Sequence, residues 1–435
     1  TSDSDGNTVG GSNAGEDLAS GATSNTFFGK DAGKEVTTGD NNVAIGDDAL
    51  QVATTASNNI AIGKSSLTQC TGGNNIALGT FSLDSLTSGE YNLGLGYESG
   101  GALTTGGKNI AIGYQALKSE TTLSESMAIG YQAGKNYIAI KGCFIGHQAG
   151  ENLTDGSDNM CIGYQAGRNN GGIYGGGAGT YGNTWIGNLC GSSITGGNQN
   201  VGIGANALQN NSAWSNVAIG NNAGEKNTTG TRGTFIGRYA GIENTTGSYN
   251  FFAGYYSGGD ITTGSNNTCI GDQAGHTGTN NLTTGSNNTL IGSSAAASSA
   301  TVSNEVTIGD ANVTKFRLPG LDGFQIDDNG TIDLPGAIDE NVYELTGTEL
   351  DPDLGTVQYK TLGANTTFTE SLTAGQSMIL MINDGSSYTI TWPTIKWLGA
   401  SAAGSAPTLA TSGYTCIELW KVGSDLYGAL IGVSS

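Results

Sequence analysis

The chain has 435 residues and a formal net charge of −21, although only 12% of its residues are charged. So acidic a surface, with 16 Lys and Arg in all, excludes a nucleic-acid-binding role, because holding phosphates takes clustered cations. Gly is abundant at 74 residues against 5 Pro, but the glycines recur at a fixed period, which excludes a disordered low-complexity chain.

The period is set by a phrase: Asn, two or three apolar residues, Gly, two polar residues and a small one. Asn42–Gly46 and Asn109–Gly113 are clean copies. With the glycine as anchor, eighteen copies run from Gly11 to Gly309, and eleven of the seventeen spacings are 17 residues. A period this short predicts a solenoid in which each repeat is one coil stacked on the last. Eighteen coils at about 4.8 Å each make a rod roughly 80–90 Å long.

Within a coil, positions are numbered from the anchor glycine. Position −1 is nearly always Ile or Leu (Ile45, Ile62, Leu95, Ile112), and −3 is apolar or Thr (Val43, Ile60, Leu93, Thr184). Side chains two apart on a strand share a face, so −3 and −1 are expected to point into the coil. An often apolar +7 (Val36, Leu86, Leu103, Ile261) would face them from a second short strand, making each coil a thin parallel β-roll. Position −2 alternates between Ala and the bulky Phe27, Phe144, Trp185, Phe235 and Phe252. On this reading it points outward and needs a cover, most simply other copies of the chain. Asn holds −4 in 14 of 18 coils, as an asparagine ladder would, and +8 is a Thr-rich turn position. Position +1 carries Tyr97, Tyr114, Tyr131, His147 and Tyr164 on five consecutive coils, with Gln115, Gln132, Gln148 and Gln165 beside the last four.

The period loosens twice, at a Gly-rich excursion over 169–182 with Tyr174 and Tyr181, and at a smaller bulge over 276–288. Insertions in solenoids map to loops on one face, often the binding face. The division expected is a β-roll shaft over 1–313, a neck over 314–340 with a hairpin turning at Asp327–Gly330, and a β-sandwich-like tip domain over 341–435. Tip strands are predicted at 356–362, 366–372, 377–383, 388–392, 415–422 and 426–433. The 394–413 stretch is the longest irregular segment there, suited to an exposed loop carrying Trp397.

Little in the chain carries chemistry. Of two histidines, His147 and His276, neither belongs to a Ser-His-Asp pattern, and no G-x-S-x-G elbow occurs. Gly94-Leu95-Gly96 is a repeat phrase with no helix behind it, not a dinucleotide loop. Carboxylate pairs such as Asp47-Asp48 read as solvated surface. Six cysteines form no C-x-x-C pair, and Cys161 and Cys269 occupy the slot that Ala or Phe fills elsewhere, so they read as packing residues. No cofactor, metal site or enzymatic activity is expected. Nor is membrane insertion, for want of an apolar run of spanning length. The chain opens inside a repeat without an initiator Met, as a piece of something longer would.

The Asn-x-Val/Ile-Ala-Ile-Gly core, recurring eighteen times, resembles the head repeats of trimeric autotransporter adhesins. That resemblance implies a left-handed parallel β-roll in an obligate homotrimer. The segment Val306–Gly309 through Val313–Arg317, and the run from Gly355 to Pro393, resemble tail fibres of marine and cyanobacterial phages, which implies a trimeric fibre with a C-terminal receptor-binding tip. The first reading is therefore the distal part of a phage tail fibre, extracellular on the virion. It would join other tail proteins through a missing N-terminal part and bind a host glycan or outer-membrane protein. Receptor contact is expected at Trp397, Trp392, Tyr388 and Tyr414, with the shaft surface Tyr97, Tyr114, Tyr131, His147 and Tyr164 as the alternative. The competing readings are a bacterial trimeric adhesin fragment and, for its Thr row, an ice-binding solenoid.

Overall fold

The computed structural model describes residues 3–119, 121–154, 156–168, 181–317, 325–327, 332–333, 342–399 and 404–434. The excursion over 169–180, with Tyr174, and much of the neck lie outside these. The chain separates into two compact units, Thr1–Val313 and Thr314–Ser435.

The first unit is a parallel β-solenoid. Its eighteen strands, from Thr8–Gly10 to Val306–Ile308, each three residues long, form one sheet and pair with their sequence neighbours. Pairing is in register throughout the repeat: Val43, Ala44 and Ile45 lie opposite Ile60, Ala61 and Ile62.

The strands face the opposite way from the sequence expectation. Position −2 points inward, and Phe27, Phe144, Trp185, Phe235 and Phe252 are fully buried within their own chain rather than waiting for another. Positions −3 and −1 point outward, leaving Ile45, Leu95 and Ile219 each 40% exposed. The physical reason is volume. A coil of about 17 residues encloses a narrow space already entered by side chains at +3, +4 and +7, and one side chain per strand fills what remains.

Size exchange between positions −2 and +4 follows from this geometry. Where −2 is Ala or Gly, +4 is often Leu: Leu50, Leu67, Leu83, Leu117 and Leu208 are all completely buried. Where −2 is aromatic, +4 is Gly. A Cβ on Gly150 would lie 2.3 Å from the Phe144 ring, and one on Gly191 2.6 Å from Trp185. The +4 residue is left-handed in either case, with φ 53° at Leu50 and 56° at Gly191. For Leu that conformation costs about 1–2 kcal/mol, which burial worth about 1.5–3 kcal/mol offsets.

The expected second strand does not form. After each anchor the backbone runs through turns and bends, because left-handed residues recur at +2 and +4, as at Asp48 (φ 59°) and Leu50 (φ 53°). Coil-to-coil hydrogen bonds persist without extended backbone: Leu50 N–H donates to the Ser66 carbonyl and Val52 N–H to that of Thr68, both at 2.9 Å. The +7 side chains Val36, Leu86, Leu103 and Ile261 are buried all the same. The anchor glycine has its own cause. At Gly29, φ is +136°, and a Cβ would sit 2.3 Å from the Gly46 carbonyl oxygen of the next coil.

Two polar ladders stitch the coils. The −4 asparagines are buried, and each Oδ1 accepts the next coil's backbone N–H, as Asn25 does from Asn42 at 2.9 Å and Asn183 from Asn200 at 2.9 Å. The amide of the same residue donates to a turn carbonyl, Asn42 to Ala56 at 2.8 Å. At +8, Thr hydroxyls donate to the next coil's Thr carbonyl, Thr87 to Thr104 at 2.9 Å and Thr104 to Thr121 at 2.8 Å. Those hydroxyl hydrogens are spent on bonds between coils.

In the second unit a small antiparallel sheet joins Lys315–Arg317, Gln325–Asp327 and Ile332–Asp333. Beyond it lies a six-stranded mixed sheet, in the order Val342–Glu344, Val357–Thr361, Ser377–Asn383, Tyr414–Val422, Asp425–Val433, Ile395–Leu398. This is one principal sheet rather than the two facing sheets of a regular sandwich. The predicted 366–372 and 388–392 strands are reduced to short pieces that join two-stranded ladders, Thr366–Thr367 with Ile390–Thr391 and Thr369–Glu370 with Glu349–Leu350. Leu350, Phe368 and Leu372 pack with Met378, Leu380, Ile382, Ile417 and Leu419 of the principal sheet to close the core.

Candidate functional sites: the aromatic ladder and the tip

In-register stacking places the +1 side chains above one another. Tyr97, Tyr114, Tyr131, His147 and Tyr164 form a continuous column with ring centroids 5.4, 5.1, 4.9 and 5.3 Å apart and planes within 21° of parallel. The tyrosines are exposed, but by their edges, since each inner ring is covered on both faces by its neighbours. The column ends at Phe81, which meets Tyr97 edge-on at 86°.

Beside the rings, the +2 glutamines run down to Glu98. Gln165 donates to Gln148 at 2.8 Å, and Gln115 donates to Glu98 at 2.8 Å. Lys118 Nζ lies 2.5 Å from the same Glu98 oxygen and, with the Gln115 and Tyr97 hydrogen bonds, holds its carboxyl below the usual range. The bond to Glu98 in turn raises the Tyr97 hydroxyl.

The tip residues named from sequence separate into two kinds. Trp397 is not on a loop: the predicted irregular stretch begins with the strand Ile395–Leu398, paired in parallel with Asp425–Val433. Its side chain is 8% exposed and covers Gly428, where a Cβ would meet the ring at 2.8 Å. Trp392 stacks on Phe368 at 5.5 Å and meets Trp397 edge-on at 5.2 Å. Tyr388 also packs against this core, whereas Tyr414 is half-buried and meets Tyr359 edge-on at 6.4 Å. The structure thus gathers Tyr388, Trp392 and Trp397 into or beside one hydrophobic core and leaves Tyr414 apart from it. Of the small-residue run after Trp397, residues 400–403 lie outside those described.

Two further aromatic clusters escaped the sequence reading. Arg232 lies 5.2 Å from the ring centres of both Trp214 and Tyr249, each about half exposed. Arg238 sits 4.5 Å over Tyr239, which contacts Tyr255 and Tyr256, and Tyr256 stacks on His276 at 4.8 Å. His276 Nδ1 lies 2.8 Å from Asp260. Spacing of 17 between Arg232 and Tyr249, and between Tyr239 and Tyr256, was the available signal.

Burial suppresses the chemistry of Cys70, Cys161, Cys190 and Cys269. The Cys70 thiol is pushed up to about 11 and those of Cys190 and Cys269 to about 12, while Cys161 is raised well above its ordinary value. Among the described residues no cluster of three His, Cys, Asp or Glu is placed to hold a metal ion, and no helix is long and apolar enough to cross a membrane.

Fold and surface together define a repeat protein of the β-solenoid class, with a separate mixed-sheet domain after it. No family model matches the chain, and neither a curated protein nor a solved structure matches it.

Proposed function

We propose that this chain is the distal part of a fibrous attachment protein of the phage tail-fibre type. The solenoid serves as a homotrimeric shaft and the C-terminal unit as the receptor-binding tip, holding the virion to a host-surface glycan or outer-membrane protein. No catalysis belongs to this reading. The observation that carries it is the outward apolar stripe. Phe28, Ile45, Ile62, Leu95, Ile219 and Ile236 are each at least 38% exposed and stand in one row of a single sheet. Such a stripe along a rod is covered most economically by identical stripes on other copies, and a closed assembly leaves none over. The number three follows from the likeness to trimeric adhesins and fibres.

Light scattering of the full chain tests the assembly: a trimer mass supports the reading, and a monodisperse monomer refutes it. Binding of fluorescent protein to panels of bacterial cells tests the role, with residues 341–435 deleted in parallel. Binding that survives the deletion moves the receptor contact to the shaft.

A further inference from the structure

A cavity of about 360 Å³ opens on the flank of the solenoid where the aromatic column ends. It is lined by Phe81, Asp84, Ser85, Glu98, Gly101, Ala102 and Lys118. The cavity exists because one side chain is missing from a column. Position +5 reads Gln51, Thr68, Asp84, Gly101, Lys118 and Lys135 on successive coils. Gly101 does not have a positive φ, so its backbone does not require glycine. A Cβ there would point into the space, 3.3 Å from Asp84 Oδ1 and 3.4 Å from the Glu98 carbonyl oxygen.

The chemistry of the walls selects among ligands. Lys118 and Glu98 are paired at 2.5 Å, so a simple cation would meet an ammonium group and an anion would meet two carboxylates. What suits both is a neutral molecule that donates hydrogen bonds to Asp84 and Glu98, accepts one from Lys118, and has an apolar face for Phe81. A cavity near the lower end of the usual ligand range of about 300–1,000 Å³ takes one small ring rather than an extended chain. We propose that this cavity is a binding site for a single pyranose sugar, with Asp84 accepting from ring hydroxyls and Phe81 covering an apolar face. Burial pushes the Asp84 carboxyl upward against the backbone hydrogen bonds it accepts from Asp84 and Ser85, and sugar hydroxyls would add further donors. The site lies on the shaft and holds whether or not the chain is a tail fibre.

The test is saturation-transfer-difference NMR on the full chain with glucose, galactose, mannose, fucose and N-acetylglucosamine, each at millimolar concentration. At least one sugar is expected to receive saturation. Asp84→Asn should weaken that sugar about tenfold or more, the loss expected for a hydrogen bond to a charged group, and Gly101→Val should weaken it as well by filling the space. Asn221→Ala, at an exposed position on a distant coil, should leave it unchanged. Asp84→Asn preserves shape, and circular dichroism checks that both cavity variants keep the solenoid. The proposal is overturned if none of the five sugars receives saturation from the wild-type chain. It is overturned equally if the effect persists undiminished in either folded cavity variant, or if butylammonium displaces the sugar and binds more tightly. Cell binding lost only on tip deletion, with sugar binding intact, leaves this site standing and bears on the fibre reading alone.

Discussion

Replacing Asn200 with Ala removes one rung of the buried asparagine ladder. Its Oδ1 accepts the Asn216 N–H at 2.9 Å, and its Nδ2 donates to the Ala213 carbonyl at 2.8 Å and to Asn183 Oδ1 at 3.1 Å. Asn183 Oδ1 keeps the Asn200 backbone N–H as a donor at 2.9 Å, and the Ala213 carbonyl keeps the Asn211 amide as a donor at 3.0 Å, so one group is orphaned, the Asn216 N–H. At about 1–3 kcal/mol for a buried unsatisfied group, the expected cost is about 1–3 kcal/mol. Coils contact only their neighbours, so the loss is local and need not register in a single global transition. Native-state hydrogen exchange is the suitable assay. Amides over 200–216 should exchange about fivefold faster or more, since about 1.4 kcal/mol is a factor of ten, while those near Asn42 should not change. Asn221→Ala, at an exposed position, is the control and should stay within about 0.5 kcal/mol. Unchanged protection over 200–216 in Asn200→Ala would refute the claim that the ladder holds the coils together.

Ala111→Asp places a charge in the closed interior and should cost several kcal/mol, unfolding the neighbouring coils by circular dichroism. Ile112→Asp, one residue on and facing outward, should leave the spectrum intact and lower the mass by light scattering; the reverse pattern would restore the opposite strand orientation. Gly191→Ala drives a methyl group against Trp185 and should destabilise by about 1–3 kcal/mol, as overpacking does, measured as a lower midpoint of thermal loss of Trp fluorescence. The buried thiols give a pH dependence. Their folded values, about 11 to 12, lie above the ordinary 9.0, so their contribution to stability is complete below pH 9 and is lost as the pH rises toward 11 and 12. Melting should fall across that window, and Cys70→Ala, Cys190→Ala and Cys269→Ala combined should flatten the fall. At neutral pH iodoacetamide should leave Cys70, Cys161, Cys190 and Cys269 unmodified until the chain is denatured.

The period by itself was enough to establish a solenoid, its coil count and the position of the one strand that each coil forms, because a residue repeated every 17 positions in a stack must lie above its own copy. The asparagine ladder and the tyrosine column were legible for the same reason: both are single columns, and a column needs no knowledge of which way it points. Orientation was not legible. A three-residue strand between turns has apolar residues at all of −3, −2 and −1, so alternation carries no sign, and only packing decides that Phe144 goes in and Ile145 stays out. The sign was written elsewhere, in the Gly at +4 that accompanies every aromatic at −2, a correlation that acquires meaning only once the two positions are known to share one interior. In the tip, Ser377–Asn383 was readable from its own residues, but Ile395–Leu398 was not. Its partner, Asp425–Val433, lies some thirty residues on in the chain, and its Trp397 looks the same in sequence whether it covers Gly428 or faces solvent. The sugar-sized cavity depends on the same kind of long-range placement. Gly101 is an unremarked glycine among 74 until stacking sets Asp84 and Lys118 on the coils to either side of it, and then the absence of its side chain becomes a space with walls.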